Sequence, residues 1–374
     1  MDVLEILKLA NKVIDCQEES DLRGRHFARC VFLNSKSCDF SGSVLYRCVA
    51  DYAKNAIEIQ PYDEICLSFI ELVNAKITNA DLSSQNMEYI RLRNVHVAES
   101  NFTDACLSGA HINFGIFAHC VFERADISDA QISSVYITED THFTSANMAG
   151  VQLSDLRWGD VNFDKADLSH AVIKNCQFTQ ALMRDAVLTN AKISSLLSSC
   201  DLTGADLSGA TLSGGEFIRA DITNAKLCKA LIDRATTFYR CTFIGSKLDG
   251  SELDGFALQD TDITGMSFRN AKLKECSFEF VKGRDIEFSG ATFTDCMFDE
   301  AEMEGSDFSN SKLFSTSFSN SGLKGAKFVN ADLRGVEFMN TDLTNADFSG
   351  ADISGVNFAH ANIQGAIFRK RSSD

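Results

Sequence analysis

A five-residue beat runs through this chain from Leu67 to Phe368 and constrains the fold more than any other feature. Large apolar residues hold every fifth position. Over the last third they read Phe288, Phe293, Phe298, Met303, Phe308, Leu313, Phe318, Leu323, Phe328, Leu333, Phe338, Leu343, Phe348, Ile353, Phe358, Ile363 and Phe368. Two residues before each stands a small or modest side chain, as at Ala291, Cys296, Ala301, Ser306, Ser311, Thr316, Ser321, Ala326 and Ala331. A unit this short cannot bury its own apolar face, so it must stack on its neighbours. The prior of two or three globular domains for 374 residues gives way to one elongated domain.

The inward positions dictate the backbone. If a large residue i and the small residue i−2 both point inward, they lie on one face of a strand, and the extra residue of each five is absorbed at a corner. The corner falls just after the large residue. There, at i+2, stand Asn190, Gly204, Gly209, Asn224, Gly250, Gly265, Asn310, Asn320, Asn330, Asn340, Gly350 and Gly355, residue types that accept a left-handed backbone at least cost. Aromatic and aliphatic residues alternate from Phe298 to Phe368. Four sides per coil would therefore stack Phe268, Phe288, Phe308, Phe328, Phe348 and Phe368 in one ladder, with Phe278, Phe298, Phe318, Phe338 and Phe358 opposite. A three-sided coil would scatter the rings. The expected fold is an all-β solenoid, a right-handed quadrilateral parallel β-helix.

The segments ADLSGATLSGG (205–215), NADLRGVEFMNTDLTNADFSGADISGVNFAHANIQGAIF (330–368) and NAKITNADL (74–82) resemble the A(D/N)LXX pattern of pentapeptide-repeat proteins. The resemblance spans 67–368 and implies the quadrilateral β-helix of that family. At 20 residues and about 4.8 Å per coil, such a run gives about 15 coils over roughly 70 Å.

The beat slips in few places. Ile137 to Phe143 and Ile232 to Phe238 are each one residue long, and Ile193 to Leu202 is one short of two units; small bulges or lengthened corners are expected there. At 279–287 Gly283 takes a slot meant for a large side chain, which suggests a local dent or kink. Before the regular run, Val3, Leu4, Ile6, Leu7, Ala10, Val13 and Ile14 lie on one helical face, so 1–20 reads as a short capping α-helix. Irregular first repeats follow over 21–45. The stretch 46–66, with the only proline, Pro61, reads as an inserted loop or a helix and loop. Residues 369–374 form a tail with no comparable cap, and the terminal coil could stack end to end on a second copy.

Composition narrows the function classes. A formal charge of −17 disfavours direct binding to nucleic acid or anionic lipid. No apolar run approaches the roughly 18 residues of a membrane span, and the N-terminus lacks a secretory signal pattern. Of 13 cysteines, Cys30, Cys120, Cys176, Cys200, Cys241, Cys276 and Cys296 fall in the small inward slot, where they act as small apolar residues; reduced thiols in a cytoplasmic setting are expected. Catalysis needs convergent polar groups in a pocket, and a filled core offers none. From Leu67 to Phe278 the inward slots carry no charge, and Gln85 is the only large polar residue in them. His96, His111, His119, His142, His170 and His360 are outward, and no two histidines are one coil apart. Trp158 reads as an oversized core residue. No catalytic residue, cofactor site or metal site is assigned.

One surface signal remains. Asp285, Glu287, Asp295, Asp299, Glu300, Glu302, Glu304 and Asp307 follow one another with no Lys or Arg between them, spread around just over one coil. They read either as a solvated face or as the site for a protein with a basic surface. The expectation is a non-catalytic interaction scaffold. The resemblance offers a bacterial effector delivered to a host target as one version of it and, as an alternative of a different class, a mimic of duplex DNA that binds a type II topoisomerase such as gyrase and protects it from quinolones or toxins. Against the second stands the lack of a C-terminal dimerisation helix.

Overall fold

A strand that buries only two side chains before turning must be very short, and the strands here are, as in Arg91–Arg93 and Glu302–Glu304, each with its middle residue buried and its flanks outward. The computed structural model describes strands at 12–15, 26–28, 30–33, 44–46 and 49–51, and then 71–73, 76–138, 140–258 and 261–369. The chain forms two units, Met1–Ala186 and Val187–Asp374. Each is a parallel β-helix. In the first, His111 pairs with Arg91 and with Gln131; in the second, Thr292 pairs with Lys272 and with Lys312. The 20-residue step contains four five-residue sides, as the four-cornered reading requires.

The sides of the second unit take their names from their central residues. Side A carries Phe268, Phe288 and Phe308; side B, Leu273, Phe293 and Leu313; side C, Phe278, Phe298 and Phe318; side D, Ile263, Gly283 and Met303. All are fully buried except Gly283, which is half-buried. On side A the rings from Phe268 to Phe368 stack at 4.8–5.0 Å with interplanar angles of 1–15°. On side C, Phe278 to Phe358 stack at 4.8–5.6 Å and 4–13°. Across the core the two ladders meet edge to face, as Phe308 and Phe318 do at 5.3 Å and 87°, the arrangement that aligns a ring's positive edge with its neighbour's negative face.

At the corners residue i+2 adopts a left-handed backbone, with φ from +48° at Ser315 to +74° at Gly335. On many sides the turn closes with a hydrogen bond from residue i+3 to the carbonyl of i, as from Ala105 N–H to Phe102 at 3.0 Å, the pattern of a type II turn. Most corners use Asn, Asp, Ser or Gly. Among the described corners three use Tyr or Phe: Tyr89, Phe114 and Phe280, with φ of +55°, +55° and +59°.

The slips divide into two kinds. The two long units do lengthen a corner, closed by Thr141 N–H to Thr138 O at 3.3 Å and by Thr236 N–H to Asp233 O at 3.0 Å. The short one is not a bulge but the loss of a corner. Lys192–Ser198 runs as one strand, with Ile193, Ser195 and Leu197 alternately buried and no left-handed residue between them. At 279–287 the expected dent does not shift the register, since Gly283 pairs with Met303 as any central residue would. A Cβ there would lie 3.0 Å from the carbonyl carbon of Ile263, so the neighbouring coil has closed onto the glycine. The small slots on either side hold the larger Val281 and Ile286, both fully buried.

The N-terminal expectations need correction where residues are described. Lys12–Asp15, inside the stretch assigned to a capping helix, is a strand paired with Cys30–Leu33. KVID places β-branched Val and Ile in succession, which favours extended backbone once a partner strand is available; the remainder of 1–20 lies outside the described residues. Within 46–66, Val49–Asp51 is a strand that pairs with Val31 below and Glu71 above. The step from Val49 to Glu71 is 22 residues, two more than a regular coil, and 52–70 also lies outside the described residues. Among the described residues no helix occurs.

Candidate interaction surface

Much of the chain's acidity is architectural. An Asp or Asn at i−1 accepts a hydrogen bond from the backbone N–H at i+1, as Asp206 does from Ser208 at 3.0 Å and Asp347 from Ser349 at 2.8 Å. This Asx turn explains why acids recur before the large residue and Ser or Thr after it. At Asp342 the Thr344 hydroxyl and N–H hold the carboxyl below its usual range. Such residues are tied to their own corners.

The eight predicted acids divide on this basis. Glu287 and Asp307 are neighbours one coil apart on side A. There Arg269 pairs with Glu287 at 3.2 Å, and Asp307 holds the Ser309 N–H at 2.8 Å. On side D, Glu302 and Glu304 lie in register with Lys282 and Arg284, and Lys324 approaches Glu304 to 3.8 Å. Asp285 is exposed at the corner between sides D and A. The eight do not form one continuous acidic face, because the coils before and after supply cations that lie 20 residues away in sequence.

Side C and its corners differ. Asp295 and Glu300 are exposed at the two corners flanking Phe298, and Asp299 lies between them. Asp299 Oδ1 accepts from the Ser317 hydroxyl at 2.5 Å and the Ser319 N–H at 2.9 Å. One coil earlier the equivalent positions hold Glu279 and Phe280, with Phe280 N–H bonded to Asp299 O at 3.2 Å. No Lys or Arg is paired with Glu279, Asp295, Asp299 or Glu300 among the described residues. Phe280 and Met297 are each 44% exposed on this surface. The residues missed from sequence are thus Glu279, Phe280 and Met297, and an aromatic residue at a left-handed corner was the available signal.

Sequence models of known families match the same coils. The pentapeptide repeat region matches 234–308 and 291–368, and the eight-copy pentapeptide repeat matches 75–113, 146–185, 162–195 and 193–228. The chain is a pentapeptide-repeat protein. No curated protein sequence matches it. Among solved structures it is similar to HetL, a pentapeptide-repeat protein involved in heterocyst differentiation regulation from the cyanobacterium Nostoc sp. strain PCC 7120. That match has 20% identity over 81% of this chain and 92% of HetL, with a TM-score of 0.23. It is also similar to a trypsin-treated variant of QnrB1, a plasmid-mediated fluoroquinolone resistance protein, at 14% identity over 80% and 91%, with a TM-score of 0.17. These scores carry no argument beyond the family match.

The interior of this pentapeptide-repeat protein offers little space. The first unit holds a cavity of about 20 Å³ lined only by apolar side chains, among them Phe117, Ile137, Phe143 and Trp158. That is about the volume of one water, without polar partners to hold it. Trp158 is core, as expected, but it also has a polar task. The long corner after Ile137 interrupts the ladder between Tyr136–Ile137 and Arg157–Gly159, and the Trp158 indole N–H donates to the buried Val135 carbonyl at 2.9 Å. His96, His111, His119, His142, His170 and His360 are outward, half-buried or exposed. Among the described residues no group of three His, Cys, Asp or Glu is placed to hold a metal, and no helix is long and apolar enough to cross a membrane. Burial pushes the Cys120 and Cys241 thiols up to about 11, against thiolate reactivity.

Proposed function

We propose that this pentapeptide-repeat protein is a non-catalytic interaction scaffold that binds a basic segment of a partner protein on side C of its second unit. The observation that carries this reading is Phe280. It is a large aromatic residue in a left-handed conformation, with nearly half its surface in water and beside it carboxylates that no described Lys or Arg pairs with. A bulky residue costs about 1 kcal/mol or more in that conformation, and here much of the ring still faces water, which suits a position used for contact. Glu279, Asp295, Asp299 and Glu300 supply the field for a cationic partner, and Phe280 and Met297 the apolar anchor. The chemistry fits a Lys- or Arg-rich segment bearing a Leu or aromatic side chain. Labelled peptides test it: a lysine–leucine peptide should bind more tightly than its glutamate–leucine counterpart. Asp299→Lys with Glu300→Lys, or Phe280→Ser alone, should weaken binding at least tenfold. Equal binding of both peptides, or binding indifferent to these substitutions, would remove the reading.

A second reading, mimicry of nucleic acid toward a type II topoisomerase, draws on the charge of −17 and on carboxylates that repeat from coil to coil, as at Glu287 and Asp307 or Asp332 and Asp352. A gyrase supercoiling assay with micromolar protein decides it; unchanged supercoiling sinks it. End-to-end pairing of two copies draws on the last described coil, where Ile353, Ile363 and Phe368 are 38–47% exposed. A monomer by sedimentation that stays monomeric as concentration rises would exclude it. Delivery to a host cell is one setting for such a scaffold, to be checked with a translocation reporter fused to the chain.

A further inference from the structure

Cys276 and Cys296 occupy the small inward slot of side C in successive coils. Their strands are in register, with Lys274 opposite Thr294 and Ser277 opposite Met297, and the rings two residues on, Phe278 and Phe298, stack at 4.8 Å and 4°. Both cysteines are fully buried, and each thiol donates to the backbone, Cys276 to Lys274 O and Cys296 to Thr294 O, both at 3.4 Å. No other described cysteine has a thiol one coil above or below it: Cys120 stacks between Ser100 and Thr141, and Cys241 between Ala220 and Thr261.

We propose that Cys276 and Cys296 are a redox modification site, a dithiol that closes to an intercoil disulfide when a peroxide reaches it. With a peroxide, one thiolate attacks oxygen, breaks the O–O bond and becomes a sulfenic acid. The second thiol displaces that hydroxyl as water and forms the S–S bond. Two thiols and one hydrogen peroxide thus give one disulfide and two waters, the thiols losing two electrons to the peroxide.

The geometry sets the character of the bond. Adjacent strands lie about 4.8 Å apart, inside the roughly 4.4–6.8 Å Cα span of disulfides. In-register Cβ atoms stay near that same separation, beyond the roughly 3.8 Å mean for a bridge, so the coils must draw together on this side. A strained disulfide has an oxidising potential, which makes it easy to reduce and suited to reversible chemistry. The two thiols hold equivalent slots in successive coils, so either can be the attacking sulfur. Because both are buried, oxidation follows opening of the coil and is slow. The inference does not depend on what binds outside, although Asp295 and Met297 flank Cys296 on that surface.

Peptide mapping tests it. The folded full chain is treated with hydrogen peroxide, alkylated in denaturant and digested with trypsin without reductant. Cys276 falls in peptide 275–282 and Cys296 in 285–312. The expected product is these two peptides joined with the loss of two hydrogens, separated again by mild thiol and absent from Cys276→Ser and Cys296→Ser. Serine holds the same slot at Ser311 and Ser321, so both variants should fold. Full alkylation of both thiols after treatment, sulfinic acid without a joined peptide, or a bridge to a different cysteine would each overturn the proposal.

Discussion

The two units run the same beat to different effect. In the second, strict alternation gives two continuous phenylalanine ladders that meet edge to face across the core. In the first, a single ladder, Phe102, Phe122, Phe143 and Phe163, persists across the long corner at 138–141, its spacing widening from 4.5 to 4.9 to 5.3 Å. Trp158 stacks beside it on Phe143 at 5.7 Å, next to the small cavity. A one-residue insertion is thus absorbed at a corner without dislodging the side that follows. The side before it loses its ladder partner, and a buried carbonyl must be satisfied another way. Regular stretches are held by packing, and irregular ones need a specific polar substitute.

The largest expected effect breaks the regular side of this comparison. Phe308 stacks between Phe288 and Phe328 and meets Phe298 and Phe318 edge-on. Phe308→Ala should cost about 3–5 kcal/mol, read as faster hydrogen exchange at the amides of 288–328. Protection unchanged within error would show that the ladders are not what holds these coils. On the irregular side, Trp158→Phe keeps an aromatic ring but leaves the Val135 carbonyl without its donor. A loss of about 1–3 kcal/mol is expected, localised by exchange to 135–158. A neutral outcome would mean that water reaches this carbonyl.

Gly283→Ala probes a fault inside the regular unit. Its Cβ would meet the Ile263 carbonyl carbon and Thr264 nitrogen at 3.0 Å, both backbone, so about 1–3 kcal/mol of overpacking is expected. Gly322→Ala, whose Cβ would lie 3.9 Å from Glu302 Cα, should be close to neutral. Thermal melts of the pair give the contrast, and equal melting temperatures would mean that the coil at Gly283 yields.

Period and side chemistry explain what could be read in advance. The spacing of Phe268, Phe288 and Phe308 yielded the coil length and both ladders, and Asn310 or Gly350 marked corners that are indeed left-handed. What escaped depends on neighbours one coil away. Lys282, Arg284 and Lys324 break up the acids of side D only through a register that linear order does not display. The lost corner at 192–198 escaped because a missing residue can be absorbed by a bulge or by straightening, and burial of Ser195 chose straightening. Val13 and Ile14 fit one helical face equally well as the strand they join, since short apolar runs do not distinguish the two. Phe280 and Met297 occupy outward slots that tolerate many side chains; the aromatic residue at a corner was a signal, but the carboxylates without a Lys or Arg partner beside it emerge only when the coils are stacked.

The smallest effect asks whether the units, unlike in their cores, share one corner chemistry. Asp81 in the first accepts from the Ser83 N–H at 3.1 Å, and Asp342 in the second from the Thr344 N–H at 3.0 Å. Hydrogen bonds from Ser83 and Thr344 hold both carboxyls below their usual range. A group whose folded pKa is depressed contributes stability above its unfolded value, about 3.9 for Asp, and loses that contribution as pH falls through the folded value. Asp81→Ala and Asp342→Ala should each cost about 0.5–1.5 kcal/mol near neutral pH, and the cost should shrink below about pH 4 as the wild-type carboxyl protonates. Asn in either place keeps the acceptor without the charge, so its melting temperature should approach wild type as the pH is lowered. If Asp342→Ala is costly and Asp81→Ala is not, the corners of the first unit are held by something other than their Asx turns, and the difference between the units extends from core to surface.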